Sequence, residues 1–149
     1  MRRWCVLSLA CLLTAAFELS CAAFSPAQTV PPRNSQVQVS RQFLQALLRG
    51  DYAGAYGRLA PEVRRAVNTA HFRQLARPVA ARGQRRGTSI ELYKIGVRLD
   101  ESNQGSRHFV AWAWATDSAS ARRVPPEWLE VMFRDTAARQ VLSFGLRRR

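Results

Sequence analysis

Apolar residues recur at helical spacing in the stretch that follows residue 34. Ser35 and Gln38 form a capping-box pattern, and the apolar positions after them lie three or four residues apart up to Gly50. Asp51 can cap a second, short helix, which Pro61 ends while opening a further helical turn. The apolar positions of the first two helices are Val39, Phe43, Ala46, Leu47, Tyr52, Ala55, Tyr56 and Leu59. This pattern predicts one long helix, one short helix and a further turn.

A third helix is predicted to begin after Asn68 or Thr69, either of which can cap it. Its apolar residues fall on one face, at positions Phe72, Leu75, Ala76, Val79 and Ala80. Helices commonly end just before a glycine, and Gly83 is suited to that position. We therefore expect this helix to end at Arg82.

From Thr88 onward the apolar period changes from about 3.6 residues to 2, which is typical of strands. The alternation changes phase between Leu92 and Tyr93, and this predicts a β-bulge there. Turn-forming residues separate four strands, predicted at 88–99, 108–116, 128–134 and 140–146. The three arginines that follow the last strand are expected to fray.

Helices followed by strands predict an α+β fold, with N-terminal helices packed on a curved four-stranded antiparallel sheet. The second strand is apolar on both faces, with Trp112 and Trp114 on one and Phe109 and Ala111 on the other. Antiparallel sheets usually leave one face to water, and the helices can cover only one side. We therefore predict a homodimer that forms through the sheet, with the two tryptophans in the contact patch. The third strand offers a mixed face for this contact, namely Trp128, Glu130, Met132 and Arg134.

The N-terminal segment has the pattern of an export signal. A short basic start precedes fourteen residues, 4–17, in which only two are polar, and Glu18 ends the run. Fourteen helical residues span roughly 21 Å, less than the roughly 30 Å hydrocarbon core of a bilayer. We predict a signal peptide at 1–27, a proline-containing linker at 28–34 and a single domain at 35–149, with cleavage after Ala27 or, alternatively, after Ala23. This predicts a periplasmic or extracellular protein with no transmembrane span after signal removal.

All three cysteines, Cys5, Cys11 and Cys21, lie inside the predicted signal peptide. The mature chain would then contain no disulfide and no thiol. In the alternative interpretation, Cys21 is the lipidated first residue of a bacterial lipoprotein, because Leu19 and Ser20 precede it and Ala22 follows.

The chain carries 23 basic and 10 acidic residues, a formal net charge of +13, and Lys94 is its one lysine. A field of this sign attracts anions. Arg82, Arg85 and Arg86 lie beside Gly83 and Gly87 and form a candidate anion-binding group. Because the chain is predicted to be exported and these arginines have no interleaved aromatic residues, anionic lipids or cell-surface polymers suit them better as partners than nucleic acid, which we do not expect. The simpler interpretation of the same charge is a solvated arginine-rich surface.

The order of helix, short helix, helix and four antiparallel strands resembles the nuclear-transport-factor-2-like superfamily of cone-shaped, cystatin-like α+β domains. The best local match is the segment at 43–56, FLQALLRGDYAGAY, which is similar to the opening of small exported members of unknown function. The resemblance covers about residues 35 to 147 and implies a cone-like fold. It implies no single activity, because the superfamily includes isomerases, dehydratases, polyketide cyclases and non-catalytic pockets or dimerisation modules.

Enzymes of this superfamily resemble one another in placing an acidic residue or a histidine, sometimes with a tyrosine, inside the cavity. The residues of this chain that suit such a role are Asp51, Tyr52, Tyr56, Tyr93 and His108, although Asp51 also suits a helix cap. The strand positions available for an active-site acid hold mostly apolar residues, and the sequence contains no metal-ligand cluster, nucleotide-binding loop or nucleophile motif.

We therefore favour a non-catalytic module that binds a small apolar ligand or another protein, with no cofactor and no metal. Two alternatives stay open. One is a cavity enzyme that performs acid/base isomerisation or dehydration of a small apolar molecule, and the other is a binder of anionic cell-surface polymers or lipids. The cavity lining discriminates among them: inward ionisable groups favour the enzyme, an apolar cavity favours ligand binding, and a filled cavity favours an interaction module.

Overall fold

The computed structural model describes residues 35–99, 106–118 and 124–149. The predicted signal peptide, the linker and the three cysteines lie outside these ranges, as do most of the turn after the first strand and part of the loop before the third. Within the described residues, five helices and four antiparallel strands in one open sheet form an α+β fold, as predicted. No helix of this part of the chain has both the length and the apolar character needed to cross a bilayer.

The first two helices begin where their caps predict. α1 (Gln36–Leu48) follows Ser35, whose hydroxyl oxygen accepts a hydrogen bond from the Gln38 N–H, while the Gln38 side chain accepts one from the Ser35 N–H. α2 (Tyr52–Tyr56) follows Asp51, whose Oδ1 accepts a backbone N–H of the helix at 2.9 Å. Both starts are therefore fixed by local side-chain contacts.

The next two helices also begin as predicted. α3 (Pro61–Ala66) has Pro61 at its first position, where the missing N–H has no helical partner to lose. α4 (Thr69–Arg86) is capped by Asn68, whose Oδ1 accepts the His71 N–H at 2.9 Å. Pro61 at the first position of α3 and the Asn68 cap of α4 confirm the predicted starts of both helices.

The C-terminal end of α4 differs from the prediction. The helix continues past Arg82 and Gly83 to Arg86, and Gly87, with a φ of +82°, follows it. Gly83 is buried where α4 packs on the last turn of α1, and a Cβ at this position would lie 2.4 Å from the carbonyl oxygen of Leu48. The glycine is needed for the close approach of two helices, so its interpretation as a helix stop is wrong.

The four strands pair antiparallel in chain order. The register between the first two strands shifts between Leu92 and Lys94, which confirms the predicted β-bulge. The bounds are β1 (Ile90–Leu99), β2 (Ser106–Trp114), β3 (Glu127–Phe133) and β4 (Ser143–Arg148), and a helical turn, α5 (Ala115–Ser118), follows β2.

Strand β4 lies further along the chain than predicted. It includes Arg147 and Arg148, which pair with Trp128 and Glu127 of β3, and their Nε atoms lie 3.4 Å and 3.0 Å from carboxylate oxygens of Glu130 and Glu127. The expectation that these arginines fray is therefore wrong. Val141, which precedes the strand, forms a parallel bridge elsewhere in the fold.

The core lies between the helices and one face of the sheet. Trp112 and Trp114 both belong to it, with 2% and 0% of their surface exposed. Trp112 Nε1 donates a 3.0 Å hydrogen bond to the hydroxyl of Ser40, a fully buried residue of α1. The prediction that the two tryptophans form part of a dimer contact patch is wrong, because their face of β2 is the one that the helices cover.

The opposite face of the sheet is partly covered by the chain's own side chains. Ala111, Glu130 and Met132 lie there with 0%, 2% and 9% exposure. Arg98 Nη2 and Arg147 Nε lie 3.1 Å and 3.4 Å from Oε1 of the Glu130 carboxylate. Long basic side chains therefore cover part of the face that was expected to need a partner subunit.

A row of exposed apolar residues lies on the edge strand β1. These residues pair with helix-facing positions of β2 but lie beyond the helices, and they are 47–66% exposed. We call this row the β1 strip, and its members are Leu92, Ile95, Val97 and Leu99.

Candidate functional site

A cavity of about 320 Å³ lies between α3, α4 and the edge strand β4. We call it the α4–β4 pocket. The helical side contributes Leu59, Val63, Val67, Phe72, Leu75, Pro78 and Val79. The sheet side contributes residues 142–146.

A short parallel bridge holds the chain before α3 against the start of β4. The Ala60 N–H donates to the Val141 carbonyl at 2.8 Å, and the Val141 N–H donates to the Arg58 carbonyl at 3.0 Å. The Tyr56 hydroxyl donates to the Val67 carbonyl at 2.8 Å, which ties α2 to the chain after α3. These backbone contacts fix α3 beside β4 and so define one side of the pocket.

An aromatic cluster forms the inner end of the pocket. Phe72 and Phe144, which both line it, have ring centroids 5.7 Å apart. Phe43 lies 5.2 Å from Phe144, and Tyr56 lies 5.5 Å from Phe72, both nearly edge to face. Such packing restricts ring rotation, so the pocket has a preformed apolar floor.

The α4 wall is less tightly packed than the floor. Leu75 lines the pocket and is still 52% exposed, which places it at the rim. Pro78, in the middle of α4, has no N–H, so the Gln74 carbonyl loses its usual helical donor. The pocket therefore meets solvent at the Leu75 rim, one turn before Pro78.

The lining has the chemistry of an apolar binding site. Among the described residues that line the pocket, Ser143 has the one polar side chain, and none has an ionisable side chain. A cavity of this size with a mainly apolar lining lies within the range of small-molecule sites. It can exclude water around an apolar guest, but it offers no side chain for proton transfer.

The three α2 candidates have structural roles. Asp51 is exposed and caps α2, while Tyr52 is half-buried with the Arg73 guanidinium 5.6 Å from its ring. Tyr56 is half-buried, and its hydroxyl donates to the carbonyls of Arg64 and Val67. The Tyr56 ring touches the pocket floor, but its hydroxyl is bound to the backbone.

The two strand candidates lie on opposite faces of the sheet. The Tyr93 ring lies 5.9 Å from that of Trp128, on the face away from the helices. His108 is half-buried at the start of β2, paired with Phe133, on the helix-facing side. The structure therefore does not bring the five candidate residues together in one site.

The three candidate anion-binding arginines do not form one open cluster. Arg82 Nη2 lies 2.9 Å from a carboxylate oxygen of Glu127, and Arg86 contacts the carboxylate of Asp117. Arg85 is exposed and donates to a carbonyl of its own helix at 3.3 Å. Two of the three guanidinium groups therefore already have carboxylate partners.

The outer sheet face holds a second polar arrangement. Lys94 Nζ lies 4.9 Å from the ring centroid of Trp128, 5.3 Å from that of Tyr93 and 5.7 Å from that of Phe109. These three rings form an aromatic cage suited to a cation, and the Lys94 ammonium group of the chain itself occupies it. In the described ranges, no group of three or more histidine, cysteine or acidic residues could hold a metal ion.

Sequence reasoning missed the pocket although its residues carried a signal. Phe72, Leu75 and Val79 fall on the predicted apolar face of α4, and Leu142, Phe144 and Leu146 alternate as a strand requires. Both patterns indicate burial, but neither indicates that α4 and β4 leave a cavity between them.

Comparison with protein-family models, with curated proteins and with solved structures gives no match to this chain. A proposal for its function therefore depends on the chain's own geometry and chemistry.

Proposed function

We propose that this chain is an exported, non-catalytic domain that binds a small apolar molecule in the α4–β4 pocket. The observation that carries the proposal is a cavity of about 320 Å³ with an aromatic floor and no ionisable lining side chain among the described residues. Burial of an apolar guest contributes about 0.8 kcal/mol per methylene. Association costs at least about 4 kcal/mol, so a guest of about ten carbons binds with a net free energy of at most about 4 kcal/mol, a dissociation constant of about 1 mM or higher.

The pocket chemistry favours binding over catalysis. Acid/base isomerisation or dehydration needs a carboxyl, imidazole or phenol group within about 3 Å of the reacting atom. The Tyr56 hydroxyl is the nearest candidate, and it donates to backbone carbonyls at 2.8 Å and 3.1 Å. A phenol held in this way anchors the wall of the pocket.

The proposal includes membership of the nuclear-transport-factor-2-like superfamily with its curved, cone-like sheet. The element order and the open antiparallel sheet support it. The export part of the proposal depends on the signal pattern at 1–27. We expect N-terminal sequencing of exported material to start at or near Gln28, whereas a start at an acylated Cys21 would identify a lipoprotein.

A neutral fluorescent probe tests ligand binding. N-phenyl-1-naphthylamine carries no charge, and its emission rises in apolar sites, so titration with the protein should give a saturable signal. Leu75→Trp adds bulk at the pocket rim and should abolish that signal. Leu99→Trp is the matched control, because Leu99 is also an exposed leucine but lies on the β1 strip. Leu99 is 66% exposed and Leu75 is 52% exposed.

The result expected is binding in the wild type and in Leu99→Trp, with at least a tenfold loss in Leu75→Trp. Circular dichroism of each variant confirms that the fold is retained. Absence of saturable binding in the wild type, or equal binding in Leu75→Trp, would contradict the proposal.

The β1 strip favours a second role, as a contact for another copy of the chain. We propose that the homodimer forms here, through the edge of the sheet. Soluble monomers seldom expose continuous apolar rows on an edge strand, because such edges recruit other strands. In an antiparallel pair of β1 strands, Leu92 would lie near Leu99 of the second copy, and Ile95 near its Val97, so the strip is self-complementary.

Sedimentation equilibrium tests the dimer. We expect a dimer for the wild type at tens of micromolar and a monomer for Val97→Asp. Val124→Asp, at an exposed valine outside the strip, should stay dimeric. A monomeric wild type would refute this second role and would leave the pocket proposal unaffected.

A further inference from the structure

We propose that the ligand of the α4–β4 pocket is an anionic amphiphile, whose single apolar chain fills the pocket and whose carboxylate binds at Arg82 and Arg148. This inference rests on the proposed function. It adds the chemical class of the ligand and the position of its headgroup.

Two arginines meet beyond the pocket lining, further along α4 and β4. Arg148 lies two residues after Leu146 on the same face of β4, and Arg82 lies three residues after Val79 on the same face of α4. Arg82 Nη2 and Arg148 Nε lie 2.9 Å and 3.0 Å from the same carboxylate oxygen of Glu127. The two guanidinium groups therefore lie outside the pocket lining, on the continuation of its α4 and β4 walls.

This end of the pocket carries a surplus of positive charge. Among the described residues, Arg82, Arg86 and Arg148 contact Glu127, and Arg86 also contacts Asp117. Three guanidinium groups thus surround two carboxylates. An anionic headgroup would neutralise the remaining positive charge, whereas a cationic headgroup would be repelled by it.

Arg148 is the best placed of these arginines to meet a ligand. Its side chain is 67% exposed, against 24% for Arg82 and 22% for Arg86. Its contact with Glu127 involves Nε, and a guanidinium has five N–H donors, so donors on the Nη atoms suit a bidentate carboxylate. Arg86 is held more firmly, because its guanidinium also lies 4.4 Å from the Trp114 ring.

The size of the cavity guides the choice of a probe with an apolar chain of comparable volume. One water takes about 30 Å³, so a cavity of about 320 Å³ holds about ten methylene-sized groups. Decanoate is therefore a suitable probe. A two-chain lipid would leave most of its apolar part outside the pocket, so we assign the site to a free single-chain carboxylate.

Isothermal titration calorimetry with three ten-carbon probes tests the inference. We expect decanoate to bind about tenfold more tightly than decan-1-ol, and decyltrimethylammonium to bind more weakly than either. Arg148→Gln should lower decanoate affinity about fivefold to tenfold and leave decan-1-ol affinity unchanged. Glu127→Gln should raise decanoate affinity, because it removes the carboxylate that competes for the same guanidinium groups.

Arg85→Gln is the matched control, because it removes one exposed charge from α4 outside the Glu127 cluster. Equal binding of decanoate and decan-1-ol, unchanged in Arg148→Gln, would overturn the headgroup assignment and leave the proposed function standing. An equal loss in Arg85→Gln would also overturn it, because the effect would then come from net charge. Binding of phosphatidylglycerol vesicles without binding of decanoate would overturn the free-carboxylate source, and absence of binding by all probes would refute the proposed function as well.

Discussion

Replacement of Gly83 by alanine sets two opposing effects against each other in α4. Alanine is favoured over glycine inside a helix by about 1 kcal/mol, so the local effect is stabilising. The new Cβ, however, would lie 2.4 Å from the Leu48 carbonyl oxygen, 2.8 Å from its Cα and 2.9 Å from its carbonyl carbon. These are backbone atoms of α1, which cannot rotate away as a flexible side chain would.

The packing effect is expected to dominate. Relief of the contact requires α4 to move away from α1 by about 1 Å, and such overpacking costs about 1–3 kcal/mol, sometimes more. The shift also loosens contacts of Ala80 and Val79, which are 5% and 3% exposed. Subtracting the helix-propensity gain from the overpacking cost, we expect Gly83→Ala to lower the free energy of unfolding by up to about 2 kcal/mol, or up to about 10 °C in melting temperature.

Urea unfolding followed by circular dichroism measures this change. Gln84→Ala, at an exposed position in the same turn, is the control and should change stability by less than about 0.5 kcal/mol. A Gly83→Ala protein that is more stable than the wild type would refute the reasoning, because helix propensity would then outweigh the contact with α1.

Two further predictions concern single side chains. Ser40→Ala should lower the free energy of unfolding, measured in urea, by about 1–2 kcal/mol, because it leaves the buried Nε1 of Trp112 without its 3.0 Å acceptor. Unchanged stability would contradict this. The pKa of Glu62 lies below its ordinary value of 4.5, chiefly because its carboxylate accepts a hydrogen bond from its own backbone N–H. The Arg134 guanidinium lowers this pKa to a smaller extent. Glu62 therefore stabilises the fold above about pH 4.5, and this stabilisation is lost as the pH falls through the lower folded pKa. Glu62→Gln should lower the urea midpoint at about pH 7, and its difference from the wild type should shrink as the pH falls further below 4.5. A difference that stays constant with pH would contradict this.

The helix starts could be predicted because their causes lie within a few residues. Ser35, Asp51 and Asn68 each accept a hydrogen bond from an N–H three residues ahead. The end of α4 could not be predicted in this way. The close approach of Leu48 explains Gly83, and Leu48 lies 35 residues earlier in the chain.

The sheet was predictable in order but not in its last strand. The alternation of apolar residues and the phase change after Leu92 are visible in the sequence, and the register shift follows them. β4 extends through Arg148 by pairing with β3, and ion pairs of Arg147 and Arg148 with Glu130 and Glu127 accompany this pairing. Charges that pair across strands leave no periodic signal in either strand.

The candidate site was the least predictable part of the molecule. Phe72, Val79 and Phe144 have the pattern of core residues, and most core residues pack without a gap. The α4–β4 pocket exists because α3, held beside β4 by the bridge at Val141, and α4 leave space above the aromatic floor. Such a space depends on the relative placement of elements, which hydrophobic periodicity does not specify.

The most direct test of the account is the location of bound N-phenyl-1-naphthylamine, measured by methyl NMR of the leucine and valine side chains. We expect saturable chemical-shift changes at Leu75, Val79 and Leu146 in the α4–β4 pocket, with none at Val97 and Leu99 on the β1 strip. Changes confined to the strip, or absent from the pocket at saturating probe, would contradict the claim that this pocket is the ligand site.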